Sequence, residues 1–201
     1  MRCPACRQTL HESLPACPHC AFDLAATIRV LGAAPILEFP FTDLTSILSP
    51  EEKQSVTTAL LELTQKFPQL RFAAIITQVD ARIPLAAHAF WLFNLGGLSA
   101  PQESGNQCRL VLLELDTANS RAACMIGYGL EPFLPLDVLD GIANAALPDM
   151  QRHDHAAAII AALQCARSEF AALAEAMSRR LGLTEGGEHG GATNEDAAFA
   201  Y

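Results

Sequence analysis

Basic residues are scarce in this chain. Lys and Arg number 13 against 22 Asp and Glu, for a formal charge of −9. Recognition of a phosphate backbone needs clustered cations, so nucleic acid is disfavoured as the main partner. Part of the acid excess, Glu185, Glu188, Glu195 and Asp196, lies after Leu181 in a stretch with no Lys or Arg. Long apolar runs are also missing. "LAAHAFWLFNLGGL" and "AAAIIAALQCA" fall short of the roughly 20 residues a membrane span needs, and the first carries His88 and Asn94. A signal peptide has a basic start and an apolar run of about 7–15 residues; here Cys, His, Glu and Pro interrupt everything up to Ala21. The expectation is a soluble, cytoplasmic protein. Walker loops, H-E-x-x-H helices and a Ser, His, Asp order are absent too, and Gly127-x-Gly129 is too short for a dinucleotide loop.

What is present begins at the third residue. Cys3, Cys6, Cys17 and Cys20 stand in two Cys-Pro-x-Cys clips. Two residues between thiolates let one tight turn aim both sulfurs at a single ion. Two such turns supply the four soft ligands that Zn2+ takes in a tetrahedron. Pro4 and Pro18 fix φ within each clip. The stretch is too short for its own core, so metal binding would supply its folding energy, typically about 10–16 kcal/mol. A closed four-thiolate shell leaves no position for water, and the zinc is therefore expected to be structural. Disulfides fit poorly with a reducing compartment, and a redox pair would want a βαβ context around one clip. Arg2 and Arg7 are balanced by Glu12 and Asp23, and Phe22 stands alone as an aromatic platform, so a protein contact is the expected use of the ribbon.

The body is apolar; 51% of the chain is hydrophobic, enough for a sizeable core. Residues 24–40 read as a linker with one or two short extended pieces. Ser49, Pro50 and Glu52 give an N-cap, a proline at the first helical position and a capping box, and Val56, Ala59, Leu60, Leu63 and Phe67 follow as one buried stripe. "LRFAAIITQV" suits an interior strand. A second helix runs from Pro84 to Gly96. "CRLVLLELD" and "SRAACMIGYG" form a hairpin across "TANS", with both strands expected to be central in the sheet; Cys124 pairs near Leu113, and Cys108 lies near Gly129. "PLDVLDGIANAAL" is a third helix and the stretch from Asp154 to Leu181 a fourth, with Ile159, Ile160, Leu163, Phe170, Leu173 and Met177 on or near one face. The acidic stretch 182–201 is expected to be a disordered tail. Cys108, Cys124 and Cys165 read as small buried apolar residues.

The stretch "LVLLELDTANSRAACMIGYGLEPFLPLD" resembles the TPM domain, whose long apolar strand makes a hairpin ending in a Gly-Tyr-Gly-Leu-Glu motif, here Gly127 to Glu131. Asp43 ahead of "ILSPEE", Trp91 to Gly96, and Pro148 to Asp154 match further landmarks. The resemblance spans roughly residues 41–175. It implies an α/β/α sandwich with a small mixed sheet flanked by helices, preceded here by the small zinc-ribbon module. The domain reading is accordingly a ribbon at 1–23, the linker, a TPM-like α/β domain at 41–181, and the tail. The resemblance also implies an acidic groove above the hairpin that can hold a divalent metal, Ca2+ or Mg2+, and some family members are credited with phosphatase activity while others look like binding modules. The family's Asp after the motif falls on Leu136 here, with Asp137 one position late, and its Asn/Asp-Gly before the hairpin is replaced by Asn106-Gln107-Cys108.

The candidate acidic ligands are Glu131, Asp43 and Asp137. Asp43 is equally an Asx-turn residue, and Asp137 and Asp140 sit where a helix dipole favours carboxylates in any case. Asp154 in "HDH" reads as a helix N-cap, since adjacent helical residues point in different directions. Two functions follow: a zinc-ribbon binding module acting on a protein partner, or a divalent-metal-dependent phosphoryl hydrolase around Glu131.

Overall fold

The computed structural model describes residues 2–11, 14–98 and 106–180. The expected acidic tail lies outside them. Four strands, β1 (Phe41–Asp43), β2 (Arg71–Thr77), β3 (Leu110–Asp116) and β4 (Arg121–Ile126), stand side by side in sequence order. The first three are parallel, and β4 returns antiparallel to β3. Helices α1 (Leu24–Leu31), α2 (Pro50–Lys66), α3 (Leu85–Leu95), α4 (Leu136–Ala145), α5 (Leu147–Gln151) and α6 (His155–Arg180) complete the chain. This is the α/β architecture expected: a small mixed sheet between helical layers.

Side-chain alternation along the central strands builds two cores. Phe72, Ala74 and Ile76 of β2, with Val111, Leu113 and Leu115 of β3, face Val56, Leu60 and Leu63 of α2 and the buried faces of α4 and α6. Ala73, Ile75, Leu110 and Leu112 point the other way, onto Trp91 and Leu92 of α3. The α2 start forms as its sequence dictates. The Ser49 hydroxyl accepts from Glu52 N–H, and the Glu52 carboxylate accepts from Ser49 N–H. Helix α3 ends at Gly96, a position that has no room for a side chain: a Cβ there would lie 2.3 Å from Leu37 Cδ1 and 2.6 Å from the Leu92 carbonyl oxygen. Leu37 N–H donates to the Gly96 carbonyl at 2.8 Å, locking the pre-sheet segment against the helix end.

Four expectations are corrected. Residues 24–31 of the expected linker form α1, started by Asp23, whose carboxylate accepts from Ala25 N–H, and ended at Gly32 with φ 81°. The sheet gains β1, whose three residues carry no periodicity of their own; pairing with Ala74, Ile75 and Ile76 of β2 makes them a strand. β4 is an edge strand, half-buried along most of its length, and not central. Its apolar character has another cause: Met125 packs on the α3-side core and Ala122 and Cys124 on the core shared with α4. Finally, Cys108, expected to be buried, is exposed just before β3, whereas α6, long and apolar enough by composition to cross a membrane, packs its face from Ala156 to Phe170 in the core.

Candidate metal centre

The two clips fold into the same turn twice. In the first, Arg7 N–H donates to the Cys3 carbonyl at 2.8 Å and Cys3 N–H to the Gln8 carbonyl at 2.9 Å. In the second, Ala21 N–H donates to Cys17 and Cys17 N–H to Phe22, both at 2.8 Å. Arg7 and Ala21 take equivalent left-handed conformations, φ 62° and 56°. These turns face each other. Cys3 Sγ lies 3.6 Å from Cys20 Sγ, and Cys6 Sγ lies 3.6 Å from Cys17 Sγ. All four sulfurs fall within 4.8 Å of one another, and among the described residues they form the one group of this kind.

Both short contacts cross between clips, so the four sulfurs point at one centre. A tetrahedron with bonds of about 2.3 Å has edges of about 3.8 Å, and the observed spacings fit it. A disulfide needs about 2.05 Å, and all seven cysteines are free thiols. The electrostatics ask for a cation as well. Burial works against ionising Cys17, but the N–H groups of Cys20 and His19 and the sulfurs of Cys6 and Cys20 outweigh it and bring this thiol down to about 6. Phe22 N–H pulls Cys20 down; desolvation and the sulfurs of Cys6, Cys3 and Cys17 prevail and push it up to about 12. Burial, ahead of all else, raises Cys3. The neighbouring sulfurs thus help hold a proton on Cys20, and a divalent ion would release it.

The cluster is fastened to the body. Arg7 Nη1 donates to Asp140 Oδ2 of α4 at 2.6 Å. Phe22 meets Phe90 of α3 edge to face at 5.8 Å. A cleft of about 450 Å³ separates Pro4, Ala5 and Arg7 from Ser120–Cys124 of β4.

The acidic candidates are not brought together. Asp43 ends β1, in line with Ile76, Leu115 and Ala122 across the sheet, whereas Glu131 follows the opposite end of β4, beyond Ile126. Three strand spacings and four residues of rise put these two sheet positions about 20 Å apart. Asp43 is also fully occupied. Its side chain is 1% exposed, Oδ1 accepts from the Thr45 N–H and hydroxyl, and Oδ2 takes Leu48 N–H and Lys53 Nζ at 3.3 Å. Burial opposes its ionisation, but these partners hold the carboxyl below its ordinary range. Asp137 is exposed on the first turn of α4. Glu131 instead lines small cavities beside Arg2, near the cysteine cluster. Asp154 caps α6 through Ala157 N–H at 2.9 Å. Gly129 is required for a local reason: a Cβ there would lie 2.8 Å from the Cys108 carbonyl oxygen.

One polar constellation was not anticipated. Glu114, in the middle of β3 and 0% exposed, accepts from Thr77 Oγ1 at 2.8 Å and meets His88 Nδ1 of α3 at 2.6 Å. Its Oε2 has no hydrogen-bond partner among the described residues. The available signal was a lone Glu inside "LVLLELD", a strand otherwise apolar on both faces. Next to it, Asp116 accepts from Val79 N–H, Asn119 Nδ2 and Arg121 Nε, which pins the hairpin turn to the loop after β2.

Comparison with known proteins agrees with this architecture. The TPM domain model matches residues 41–168. The solution structure of the N-terminal domain of a Corynebacterium glutamicum protein is similar at TM-score 0.50 and 13% identity, covering 67% of this chain and 82% of that one. The BA42 protein of the psychrophilic bacterium Bizionia argentinensis is similar at TM-score 0.52 and 13% identity, with coverages of 65% and 86%. An N-terminal domain from P. gingivalis gives TM-score 0.48 and 19% identity, with coverages of 64% and 80%. None of the curated proteins matches the chain. The likenesses at TM-scores 0.50 and 0.52 show the fold, and the family match runs through every strand of the sheet and onto α6: the chain belongs to the TPM domain family.

Proposed function

We propose that this chain is a cytoplasmic binding module that contacts another protein, with a structural Zn2+ held by Cys3, Cys6, Cys17 and Cys20. The observation that carries the reading is the four-sulfur cluster, closed and fastened to α4 through Arg7 and to α3 through Phe22. Four thiolates of this softness and spacing suit zinc, and a filled shell offers no site for a substrate. The competing reading is a hydrolase with Ca2+ or Mg2+ at Glu131, Asp43 and Asp137. It asks three carboxylates to converge to ligand distances of about 2.3–2.6 Å. Asp43 spends its oxygens on backbone and Lys53, at the other end of the sheet from Glu131.

Elemental analysis after dialysis into zinc-free buffer containing calcium and magnesium tests both. The expected result is one zinc per chain and no second ion, with no turnover of a generic phosphomonoester. Zinc plus a second ion that disappears in Glu131→Ala would transfer the assignment to the hydrolase. A chain free of zinc would overturn the proposal.

A further inference from the structure

β4 is the outer strand of the sheet, yet it carries none of the devices that keep an edge from pairing. It runs from Arg121 to Ile126 with no proline, lysine or break in register, and its one charge, Arg121, is spent on Asp116 at 2.7 Å. Gly127 N–H donates to the Leu110 carbonyl at 2.9 Å, which fixes the phase of the β3–β4 ladder. Arg121, Ala123 and Met125 therefore bond toward β3, and the N–H and C=O groups of Ala122 and Cys124 point away from the sheet. Among the described residues no backbone hydrogen bond reaches them from that side. The cleft of about 450 Å³ lies along these groups. Every residue from Ser120 to Cys124 lines it, whereas a cavity over one face of a strand would meet every second residue. Leu85 and Ala86 wall it on the α3 side and Ala143 and Leu147 on the α4 side, so both helical layers overhang the edge.

We propose that this slot takes an extended, uncharged segment of a partner protein as a fifth strand, hydrogen-bonded to Ala122 and Cys124. The proposal names the kind of partner for the binding-module reading and rests on that reading. The free backbone groups select a strand over a helix, whose own N–H and C=O groups are already paired along its axis. Charge selects an uncharged strand: Asp140 answers Arg7 and Asp116 answers Arg121, which leaves the lining neutral. Alternate side chains of the incoming strand meet Leu85 and Ala86 on one face and Ala143 and Leu147 on the other, so small apolar residues suit both. A second copy's β4 is the wrong occupant, because it would bring its own α3, α4 and ribbon to the same space.

Amide hydrogen exchange read by NMR on the full zinc-loaded chain tests it, with and without the capped hexapeptide Thr-Val-Ala-Val-Ala-Thr. In the free chain Ala123 and Met125 are protected and Ala122 and Cys124 exchange. The peptide protects Ala122 and Cys124 at concentrations below about 1 mM. The same peptide N-methylated at the groups that face β4 binds about tenfold more weakly or worse. Ala122→Pro, which removes one outward donor and no ladder bond, weakens binding to a similar degree. A peptide that leaves Ala122 and Cys124 exchanging overturns the proposal, as does an N-methylated peptide that binds equally well. Protection of both amides in the free chain would mean that the chain covers its own edge, and protection that grows with protein concentration would assign the slot to a second copy; either overturns it. Zinc is measured on the same sample, so failure of the metal reading shows as missing zinc, and failure of this proposal as a zinc-loaded chain that does not take the peptide.

Discussion

His88→Leu is expected to be among the most damaging single changes in the α3 layer, although His88 touches no part of the metal centre. His88 Nδ1 lies 2.6 Å from Glu114 Oε1, with the two side chains 12% and 0% exposed. Its ring also packs on Trp91 at 5.1 Å between centroids. Removing the imidazole leaves a carboxylate sealed between sheet and helix with one hydroxyl donor, Thr77. Leaving a buried acceptor without its partner costs about 1–3 kcal/mol, a large part of the roughly 5–15 kcal/mol that holds a domain together. The companion change Glu114→Leu in the same chain removes the carboxyl as well. Thr77 keeps the Leu115 carbonyl at 3.3 Å, so no donor is stranded, and apolar replacement of a buried pair is often neutral or stabilising. Urea unfolding of the parent, both single variants and the double variant gives the coupling directly. The double variant should lie within about 1 kcal/mol of the parent, well above His88→Leu. If His88→Leu costs under about 1 kcal/mol, the carboxylate does not depend on the imidazole and the reasoning is refuted.

Other outcomes follow from the same structure. Gly96→Ala forces a methyl into Leu37 and the Leu92 carbonyl; a loss of about 1–3 kcal/mol in chemical denaturation is expected, and an unchanged midpoint would show the helix end relaxing freely. Ser49→Ala removes the α2 cap and should cost about 1 kcal/mol, measured the same way. Acid should act in two stages. Burial, then His153, lowers His155; its folded pKa thus lies below the unfolded value near 6.5, and its stabilising contribution is complete above that value and declines as pH falls below it. The carboxyls of Asp43 and Asp116 are likewise depressed, because hydrogen bonds outweigh burial. Their contribution is complete above about pH 4 and is lost below it. Thermal midpoints from pH 8 to 3 should show both declines, and His155→Leu should lessen the first without changing the second.

The α2 capping box, the β3–β4 register and the cysteine clips were legible because each is specified within a short window. A cap needs three residues, a hairpin its turn, and a clip two thiolates at fixed spacing. Glu114 and the α3-side core around it were not legible in that way. Whether a glutamate in an apolar strand is an error, a surface residue or half of a buried pair depends on what α3 places above it, and His88 is distant in sequence.

The sequence by itself determined the four-thiol ligand set, the starts of α2, α3, α4 and α6 and the apolar strands that must be buried, since these follow from residue chemistry and local periodicity. Tertiary structure alone decided three things. It made Phe41–Asp43 a strand by giving it β2 to pair with, and it placed Asp43 and Glu131 at opposite ends of the sheet. It also set the cysteine cluster against β4, an edge strand with the composition of a central one. The physical reason is common to all three: strand order and register bring distant segments together, and no local spacing encodes which end of a sheet a side chain will occupy.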